Sequence, residues 1–464
     1  MKRWMIDMAN GLWSPLPVLR RRAREGVRQH CEQLEGQQTP SPTLPRGTGR
    51  GSKIAALVAL LALSSMASAD PMVKDGDVLA IIGDSITEGR QYGSLVENYL
   101  LMCQPAKVRV MQFGWSGENV SGFNNRMADF LAMKPTVATL CYGMNDGMYK
   151  PVDDRIREMF REGLTKGVRT LKKSGTRVLV GSPGCVDTAT FQRPTVSAAD
   201  YNTNLAALRD EARGVAQATD SPFADVHTAM IEAMWASKSK FGPDYPFAGG
   251  DGVHPSANGG LVMAYAFLKG LGFDGDVGTI SIDLAKHSVS ATGGHRIKGF
   301  KNDTVTLVST QYPFCFFGRD DKDPAGTRGI AGLTSFNKDL NRLTLIATGP
   351  AAKYRVTWGD SSRTFTAEQL KDGVNLAAEF FDNPFCKPFM AVHQKVLDKQ
   401  GTENLLLKQL LHSTNSGRKF MPETAMKDLD GVLAAVPKAQ QKLSMDVAAE
   451  VKPVTHTITI QPAD

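Results

Sequence analysis

Short apolar runs alternate with longer segments of helical periodicity between residues 78 and 273. This alternation is typical of a parallel sheet that is covered by helices on both faces. The predicted strands are 78–82, 108–113, 136–142, 178–181 and 223–226. The predicted helices are 94–102, 122–133, 153–173, 198–218 and 257–271. Because functional groups in such sheets gather at the carboxyl ends of the strands, the loops that follow these strands are the first place to search for chemistry.

From about residue 275 the pattern changes to a period of two. Segments 279–284, 304–308, 343–347 and 354–358 alternate apolar and polar positions, as half-exposed antiparallel strands do. A helix is predicted over 388–411, interrupted near Gly401, and 455–460 is a candidate last strand. We therefore predict an appended C-terminal α+β region over residues 275–464. The pattern leaves open its role and whether it is a separate domain or a cover packed on the first.

Composition and charge exclude one class of partner. The 464 residues are 42% hydrophobic and 22% charged, as in ordinary globular proteins. The formal net charge of +7 comes mainly from residues 1–69, which contain 10 Lys and Arg residues and 4 Asp and Glu residues. The rest of the chain contains 44 basic and 43 acidic residues. The body is therefore nearly neutral, and we expect no nucleic acid partner.

The N-terminal segment has the features of a secretory signal peptide. Lys53 precedes an apolar run over 54–63, and small residues ending at Ala69 follow, so residues 53–69 are the predicted signal peptide. The alternative is a retained anchor, but the run is about half the ~20 residues of a spanning helix, so we expect no stable membrane insertion after cleavage. Residues 1–52 are predicted to be a non-native or disordered leader. The expected location is outside the cytoplasm, either periplasmic or secreted.

Cysteine usage points away from a structural metal site. One of the six cysteines lies in the leader, and an odd number in the exported part leaves at least one thiol free. Cys141 lies in a predicted buried strand, where we expect a free core thiol. No C-x-x-C pair occurs, so we expect no structural zinc. The remaining cysteines are Cys103, Cys141, Cys185, Cys315 and Cys386.

A candidate nucleophile follows the first predicted strand directly, in the sequence Gly83-Asp84-Ser85. Glycine lets the chain turn sharply there, so that the Ser85 hydroxyl is exposed at the start of the next helix and the Ser85 N–H can donate to an oxyanion. The same triplet also commonly ends a strand in a turn or caps a helix. It therefore indicates a nucleophile only in combination with the other segments.

Residues 251–255, Asp-Gly-Val-His-Pro, supply the base that a serine nucleophile requires. His254 can accept the proton of Ser85, while Asp251 accepts the other ring N–H and stabilises the imidazolium. The alternative interpretation is a plain turn, because Asp-Gly and His-Pro are turn-forming pairs.

Two further loops offer hydrogen-bond donors at the same predicted edge of the sheet. Gly117 follows the second strand and Asn145 follows the third. With the Ser85 N–H they would form an oxyanion hole of three donors, although glycine and asparagine are also common in ordinary loops. Gly114 is the alternative to Gly117 as the backbone donor.

In identity, order and spacing, these four segments resemble the four sequence blocks of the SGNH (GDSL-like) hydrolase family over residues of about 74–274. The resemblance implies a flavodoxin-like three-layer α/β/α fold and serine esterase or acyl-hydrolase activity, with no metal or cofactor. Asp84 and Asp146 are expected to fix the loops rather than to catalyse. The resemblance implies these site residues: Ser85, His254 and Asp251 as the catalytic group, and Ser85, Gly117 and Asn145 as the oxyanion hole.

Exported bacterial members of this family are often carbohydrate deacetylases, so the expected function is removal of short acyl (acetyl) groups from a glycan. Two alternatives stay open: a lipid or thioester acyl hydrolase, and a non-catalytic glycan-binding protein on the same scaffold. Aromatic clusters at 312–317 and 380–385 fit either a sugar-stacking platform or a core. The pattern gives no indication of the oligomeric state.

Overall fold

A computed structural model describes residues 71–464; the predicted leader and signal peptide lie outside the described residues. Its first half is built on five parallel strands. These are β1 (Val78–Gly83), β2 (Arg109–Gly114), β3 (Val137–Cys141), β4 (Arg177–Gly181) and β5 (Phe223–Ala224). They form one sheet in the order β2-β1-β3-β4-β5, which is the flavodoxin-like order. Nearly every residue of β1 to β4 is buried, which explains why these strands read as continuous apolar runs.

Helices cover both faces of this sheet. They are α1 (Ser85–Glu88), α2 (Gln91–Asn98), α3 (Val120–Asn125), α4 (Met127–Ala132), α5 (Asp154–Lys173), α6 (Ala198–Ala218), α7 (Val226–Phe241) and α8 (Ala257–Gly270). Side chains of β1 point alternately into two apolar cores: Ile81 into the one that contains α2 and α8, and Ile82 into the one that contains α5 and α6. The predicted three-layer α/β/α fold is confirmed.

Two predicted helices have different boundaries in the structure. The helix expected over 122–133 is divided into α3 and α4 at Arg126, whose backbone leaves the helical region at φ −94° and ψ 10°. The Arg126 side chain is buried and bonds to Glu118, a tertiary contact that the helical period does not reveal. The helix expected over 94–102 begins earlier, at Gln91, and passes into a π-helical turn, Tyr99–Cys103.

The C-terminal region contains two further sheets. Its strands are β6 (Asp276–Asp283), β7 (Ser288–Ala291), β8 (His295–Lys301), β9 (Thr304–Ser309), β10 (Arg342–Thr348), β11 (Lys353–Trp358), β12 (Ser361–Thr366), β13 (Val374–Asn375) and β14 (Val454–Pro462). One sheet has the order β13-β10-β6-β7 and the other the antiparallel order β12-β11-β14-β9-β8. β6 and β10 are parallel, so the expectation that these strands are antiparallel is wrong for this pair. The long stretch between them gives the chain room for the crossover that parallel pairing requires.

The helices of this region are α9 (Arg328–Ala331), α10 (Phe336–Leu340), α11 (Ala367–Asp372), α12 (Leu376–Glu379), α13 (Cys386–Leu405), α14 (Ser413–Gly417) and α15 (Met426–Ala448). A π-helical segment, Leu406–His412, joins α13 to α14. Gly401 lies inside α13, so the interruption predicted there is wrong; the helix becomes irregular only at Leu406. Helix α15 was not predicted, since it contains Pro437 and buries few residues.

The appended region packs on the first half, and the described residues, 71–464, lie in one compact unit. Helix α13 lies against α2 and β2, where buried Lys399 Nζ bonds to Glu97 Oε1 at 2.7 Å and Glu403 Oε1 at 2.9 Å. The two aromatic clusters supply core side chains, including buried Phe314 and Phe385, rather than an exposed platform. No helix within residues 71–464 is long and apolar enough to cross a membrane. The five cysteines of this part are free thiols.

Candidate active site

Ser85 is the first residue of α1 and follows β1 after a single intervening residue. That residue, Asp84, caps α1 by accepting the N–H of Ile86 over 2.9 Å. A Cβ on Gly83 would lie 2.1 Å from Thr87 Oγ1, so glycine is required for β1 to turn this closely into the helix. Half-buried Ser85 is thereby held beside first-turn N–H groups that have no intrahelical acceptor.

His254 connects Ser85 to Asp251. Its Nε2 lies 2.8 Å from Ser85 Oγ, and its Nδ1 lies 2.6 Å from Asp251 Oδ2. Because an ionised carboxylate only accepts hydrogen bonds, Nδ1 carries the ring proton and Nε2 is free to accept the proton of the serine. Asp251 Oδ1 accepts the N–H groups of Val253 and His254, each over 3.0 Å. The structure therefore places the three predicted catalytic residues in one line of hydrogen bonds.

The electrostatics of Asp251 agree with an ionised carboxylate. Partial burial raises its pKa, but hydrogen bonds from the His254 ring and from the backbone of His254 and Val253 outweigh burial, so that the net pKa lies below its usual value. The side chains of His254 and Asp251 are 45% and 48% exposed, so this side of the site is open to solvent. An open site of this kind admits a bulky substrate.

The two predicted donor loops meet next to each other. Asn145 Nδ2 donates one hydrogen bond to the backbone oxygen of Glu118 over 2.9 Å, and an amide nitrogen has a second N–H to offer. Gly117, the residue before Glu118, adopts a left-handed backbone with φ +75°. Its N–H has no hydrogen-bond acceptor among residues 71–464, and the space around its Cα is open. Both predicted donors are thus available for an added acceptor.

Gly114 is placed differently from Gly117. Its N–H already donates to Gln112 Oε1 over 2.9 Å. A Cβ on Gly114 would lie 2.0 Å from the backbone nitrogen of Glu88, so this glycine permits the close packing of α1 against β2. The geometry therefore favours Gly117 over Gly114 as the backbone donor.

Asp84 and Asp146 are buried carboxyl groups that fix loops. Asp146 accepts the N–H of Val120 over 2.9 Å and the N–H of Gly143 over 3.0 Å. Burial raises the pKa of Asp146 to about 7 against the lowering effect of these bonds. Burial, followed by the charges of Asp146 and Glu118, raises the pKa of Asp84 to about 7. Neither carboxyl group takes part in the Ser85–His254–Asp251 line.

Sequence reasoning missed the buried ion pair behind the donor loop. Glu118 bonds to Arg126 Nε and Nη2, each over 2.6 Å, and accepts the hydroxyl of Tyr142 over 2.6 Å. The available signal was a charged residue directly after Gly117, in a short loop with no other charged residue. Its partners come from α3–α4 and from the end of β3, and only the fold brings them together.

Two clefts adjoin this site. One of about 330 Å³ lies beside Asp251 and has mostly polar walls. Its lining residues are Ala189, Thr190, Gln192, Arg193, Gly250 and Asp251. The other, of about 380 Å³, begins at Asn119 and Asp146 and has apolar walls that include Ile156, Met159 and Phe160. A larger cleft of about 630 Å³ lies at the opposite edge of the sheet, near Val78 and Arg109, away from this chemistry.

The sequence profile of the GDSL-like Lipase/Acylhydrolase family matches residues 81–260. Residues 81–260 belong to this family. The resemblance drawn from the four segments is thereby confirmed, and residues 81–260 are a serine ester hydrolase domain of the SGNH type.

The SGNH domain is also similar to individual proteins. An acetylxylan esterase of Geobacillus stearothermophilus is 26% identical over 224 residues, which cover 44% of this chain and 97% of the relative. The crystal structure of that species' acetylxylan esterase Axe2 is 23% identical with a TM-score of 0.36, over 44% of this chain and 97% of that one.

BT4096, a gut microbial diltiazem-metabolizing enzyme, is similar over a much longer stretch. Its solved structure is 22% identical with a TM-score of 0.65, over 84% of this chain and 98% of that chain. This coverage is too large for the SGNH domain alone. The likeness therefore shows that the fold of the domain together with its appended region occurs in another protein.

Proposed function

We propose that this protein is an exported esterase that removes acetyl groups from a carbohydrate through an acyl-enzyme on Ser85. The observation that carries the proposal is the line of two hydrogen bonds, 2.8 Å from Ser85 Oγ to His254 Nε2 and 2.6 Å from His254 Nδ1 to Asp251 Oδ2. Nucleophile, base and orienting carboxylate are thus already within reach of one another.

The reaction proceeds in two halves. His254 Nε2 accepts the proton of Ser85 Oγ as the oxygen attacks the ester carbonyl carbon, and the carbonyl oxygen becomes an oxyanion. The N–H groups of Ser85 and Gly117 and the side-chain amide of Asn145 donate to it. His254 then gives its proton to the leaving alcohol oxygen as the ester bond breaks. Water attacks the acyl-enzyme by the same route, releases the acid and returns the proton to Ser85.

The polar cleft beside Asp251 supports a carbohydrate as the alcohol part of the substrate. Thr190, Gln192 and Arg193 offer hydroxyl, amide and guanidinium groups to sugar hydroxyls. The Arg193 guanidinium lies 5.0 Å from the centre of the Tyr149 ring, which adds an aromatic surface next to these polar groups. The similarity to an acetylxylan esterase points to the same substrate class.

The apolar cleft favours a second candidate, an acyl hydrolase for longer chains. Its walls include Val120, Ile156, Met159 and Phe160, and exposed Met148 extends the apolar surface at its edge. An acyl chain bound there would gain free energy with each buried methylene group, about 0.8 kcal/mol. Acyl-length preference therefore separates the two candidates.

The experiment that tests the function measures hydrolysis of 4-nitrophenyl esters of increasing acyl length by residues 70–464. We expect acetate to be the preferred acyl group, and Ser85→Ala to lower kcat by about six orders of magnitude. Ser290→Ala, at an exposed strand position, is the matched control and should leave kcat unchanged. Activity that rises with acyl length would favour the second candidate, and turnover that Ser85→Ala leaves intact would refute the mechanism.

Carbohydrate specificity is tested by acetate release from acetylated xylo-oligosaccharides, with Arg193→Ala as the variant. We expect KM for the oligosaccharide to rise several-fold while KM for 4-nitrophenyl acetate stays unchanged. Equal effects on both substrates would contradict a sugar-binding role for the polar cleft.

The export part of the proposal has its own test. The sequence over 53–69 supports cleavage after Ala69, so we expect the full chain, expressed in a bacterium, to appear outside the cytoplasm with Asp70 as its first residue. The mass of the intact protein from each cell fraction measures this. A cytoplasmic protein that retains residues 1–69 would contradict it.

A further inference from the structure

Glu88, on the helix that begins with Ser85, accepts hydrogen bonds from the loop that carries Gly117. Its Oε2 accepts both the backbone N–H and the hydroxyl of Ser116, each over 2.6 Å. Its Oε1 bonds to Lys408 Nζ, which comes from the π-helical segment Leu406–His412 of the appended region. One carboxylate therefore joins the nucleophile helix, the residue before Gly117 and the C-terminal region.

The ion pair between Glu88 and Lys408 is partly shielded from solvent. The side chains of Glu88 and Lys408 are 24% and 21% exposed, so their attraction is less screened than that of an open surface pair. Partial burial raises the pKa of Glu88, but hydrogen bonds and charge from Lys408 and from Ser116 outweigh burial, and the net pKa lies below its usual value. Glu88 is therefore ionised at neutral pH, and both of its oxygens accept hydrogen bonds.

The residue on the other side of Ser116 is held by the same C-terminal segment. The Trp115 ring has Lys408 Nζ at 4.7 Å from its centre, and the His412 ring packs against its edge at 4.9 Å. His412 Nδ1 is fixed in turn by Asp129 Oδ2 over 2.7 Å. Trp115 also contacts the SGNH domain itself, where the Arg126 guanidinium lies 4.5 Å from its ring centre.

Gly117 itself has little to hold it. It is exposed, adopts φ +75°, and no atom lies within 4 Å of the position where a Cβ would stand. A glycine in such surroundings takes its position from its neighbours, and the two residues before it are those that Glu88, Lys408 and His412 contact.

We propose that Lys408 and Glu88 are positioning residues for catalysis: the appended region acts through them to hold the Gly117 N–H where the oxyanion forms. The inference rests on the proposed serine esterase mechanism and gives residues 275–464 a part in it. Donors stabilise an oxyanion only when they are fixed at about 2.7–3.1 Å from it. Loss of the contacts between Glu88, Lys408 and the Gly117 loop is therefore expected to reduce stabilisation of the transition state more than substrate affinity.

The test uses Lys408→Met, which keeps an unbranched side chain over Trp115 but removes the charge. We expect kcat for 4-nitrophenyl acetate to fall between about 10- and 100-fold, with KM within about twofold of the wild-type value. Lys408→Arg, which restores the cation, should recover most of the activity. Lys442→Met is the matched control, because Lys442 forms an exposed pair with Asp446 on α15.

A double-mutant cycle tests whether Glu88 and Lys408 act together. If they do, Glu88→Gln combined with Lys408→Met should lower kcat no further than the more harmful single change. Thermal unfolding of each variant shows whether the fold is kept. If the fall in kcat of the double variant equals the product of the two single falls, the two residues act independently, which would contradict a shared role.

Labelling of Ser85 by a fluorophosphonate probe tests the inference without a substrate. Ser85 Oγ attacks phosphorus, fluoride leaves, and the proton passes to His254, while the phosphoryl oxygen occupies the oxyanion hole. We expect Lys408→Met to slow labelling about tenfold and Lys442→Met to leave the labelling rate unchanged. Equal rates for wild type and Lys408→Met would overturn this inference alone. A wild-type protein that is not labelled at Ser85 would overturn the proposed mechanism as well.

Discussion

Asp146 accepts the backbone N–H of Val120 over 2.9 Å, and this bond joins the loop after β3 to the loop after β2. The other carboxyl oxygen of Asp146 accepts the N–H of Gly143 over 3.0 Å. Each of the two loops carries one predicted oxyanion donor, Asn145 in the first and Gly117 in the second. Together with the bond from Asn145 Nδ2 to the backbone oxygen of Glu118, the Asp146 carboxyl group therefore helps to set the separation of the two donors.

Replacing that carboxyl group should affect turnover more than binding. Asp146→Asn leaves only one acceptor oxygen for two backbone N–H groups, so one loop loses its tie. We expect kcat for 4-nitrophenyl acetate to fall about tenfold with KM nearly unchanged, as steady-state kinetics would show. Asp428→Asn, at an exposed position on α15, is the control. An unchanged kcat in Asp146→Asn would show that the loops hold their places without this bond.

Asp84 should make the fold less stable as the pH rises. Because its pKa is about 7 in the folded protein, it keeps a proton that the unfolded chain releases near pH 4. Stability is then lost progressively between about pH 4 and pH 7. Asp84→Asn still caps α1 but does not titrate, so we expect it to reduce the loss between pH 5 and pH 8 by roughly 1–3 kcal/mol. Urea unfolding across this range measures the effect, and parallel curves for both proteins would be evidence against it.

The two candidate donor glycines should respond differently to alanine. Gly114→Ala places a Cβ 2.0 Å from Glu88 N, so we expect it to destabilise the protein by about 1–3 kcal/mol or more and to abolish activity by displacing α1. Gly117→Ala meets no atom within 4 Å and keeps its N–H, so only the left-handed backbone costs free energy, about 1–2 kcal/mol. Unfolding and kinetic measurements on both variants provide the comparison. A Gly117→Ala protein as damaged as Gly114→Ala would argue against the assigned roles.

Asp251 should not contribute to the pH–rate profile above pH 4. Its pKa is lower in the folded protein than in the unfolded chain, so it is ionised above about pH 4 and protonates only below that. Asp251 should therefore add no ionisation to the fall of kcat/KM on acidification above pH 4. Asp251→Asn is expected to lower kcat by roughly 10²- to 10⁴-fold, because Nδ1 loses the acceptor that fixes the tautomer. Asp244→Asn, in the preceding loop, is the control. A wild-type ionisation above pH 4 that disappears in Asp251→Asn would count against this assignment.

The first half of the fold could be predicted because its signals are local. Buried parallel strands appear as continuous apolar runs, and the loops after β1, β2 and β3 meet at one edge of the sheet whatever lies elsewhere in the chain. Ser85, Gly117 and Asn145 could therefore be placed together, and the spacing of Asp251 and His254 within one turn gave the remaining pair.

The features that sequence could not reveal depend on contacts between distant residues. The break at Arg126 follows from its bond to Glu118, and the parallel pairing of β6 with β10 depends on a crossover rather than on their alternating pattern. Glu88 resembles any exposed helix residue in sequence, since its partner Lys408 lies 320 positions away. No local pattern carries such information.

Strand β14 occupies the middle of the antiparallel sheet, hydrogen-bonded to β9 on one side and to β11 on the other. During synthesis the ribosome delivers both neighbours long before it delivers Val454–Pro462. Until then two strands of alternating apolar residues have open edges, which are templates for pairing with another chain. Aggregation is therefore a greater hazard for the nascent polypeptide than for the finished enzyme.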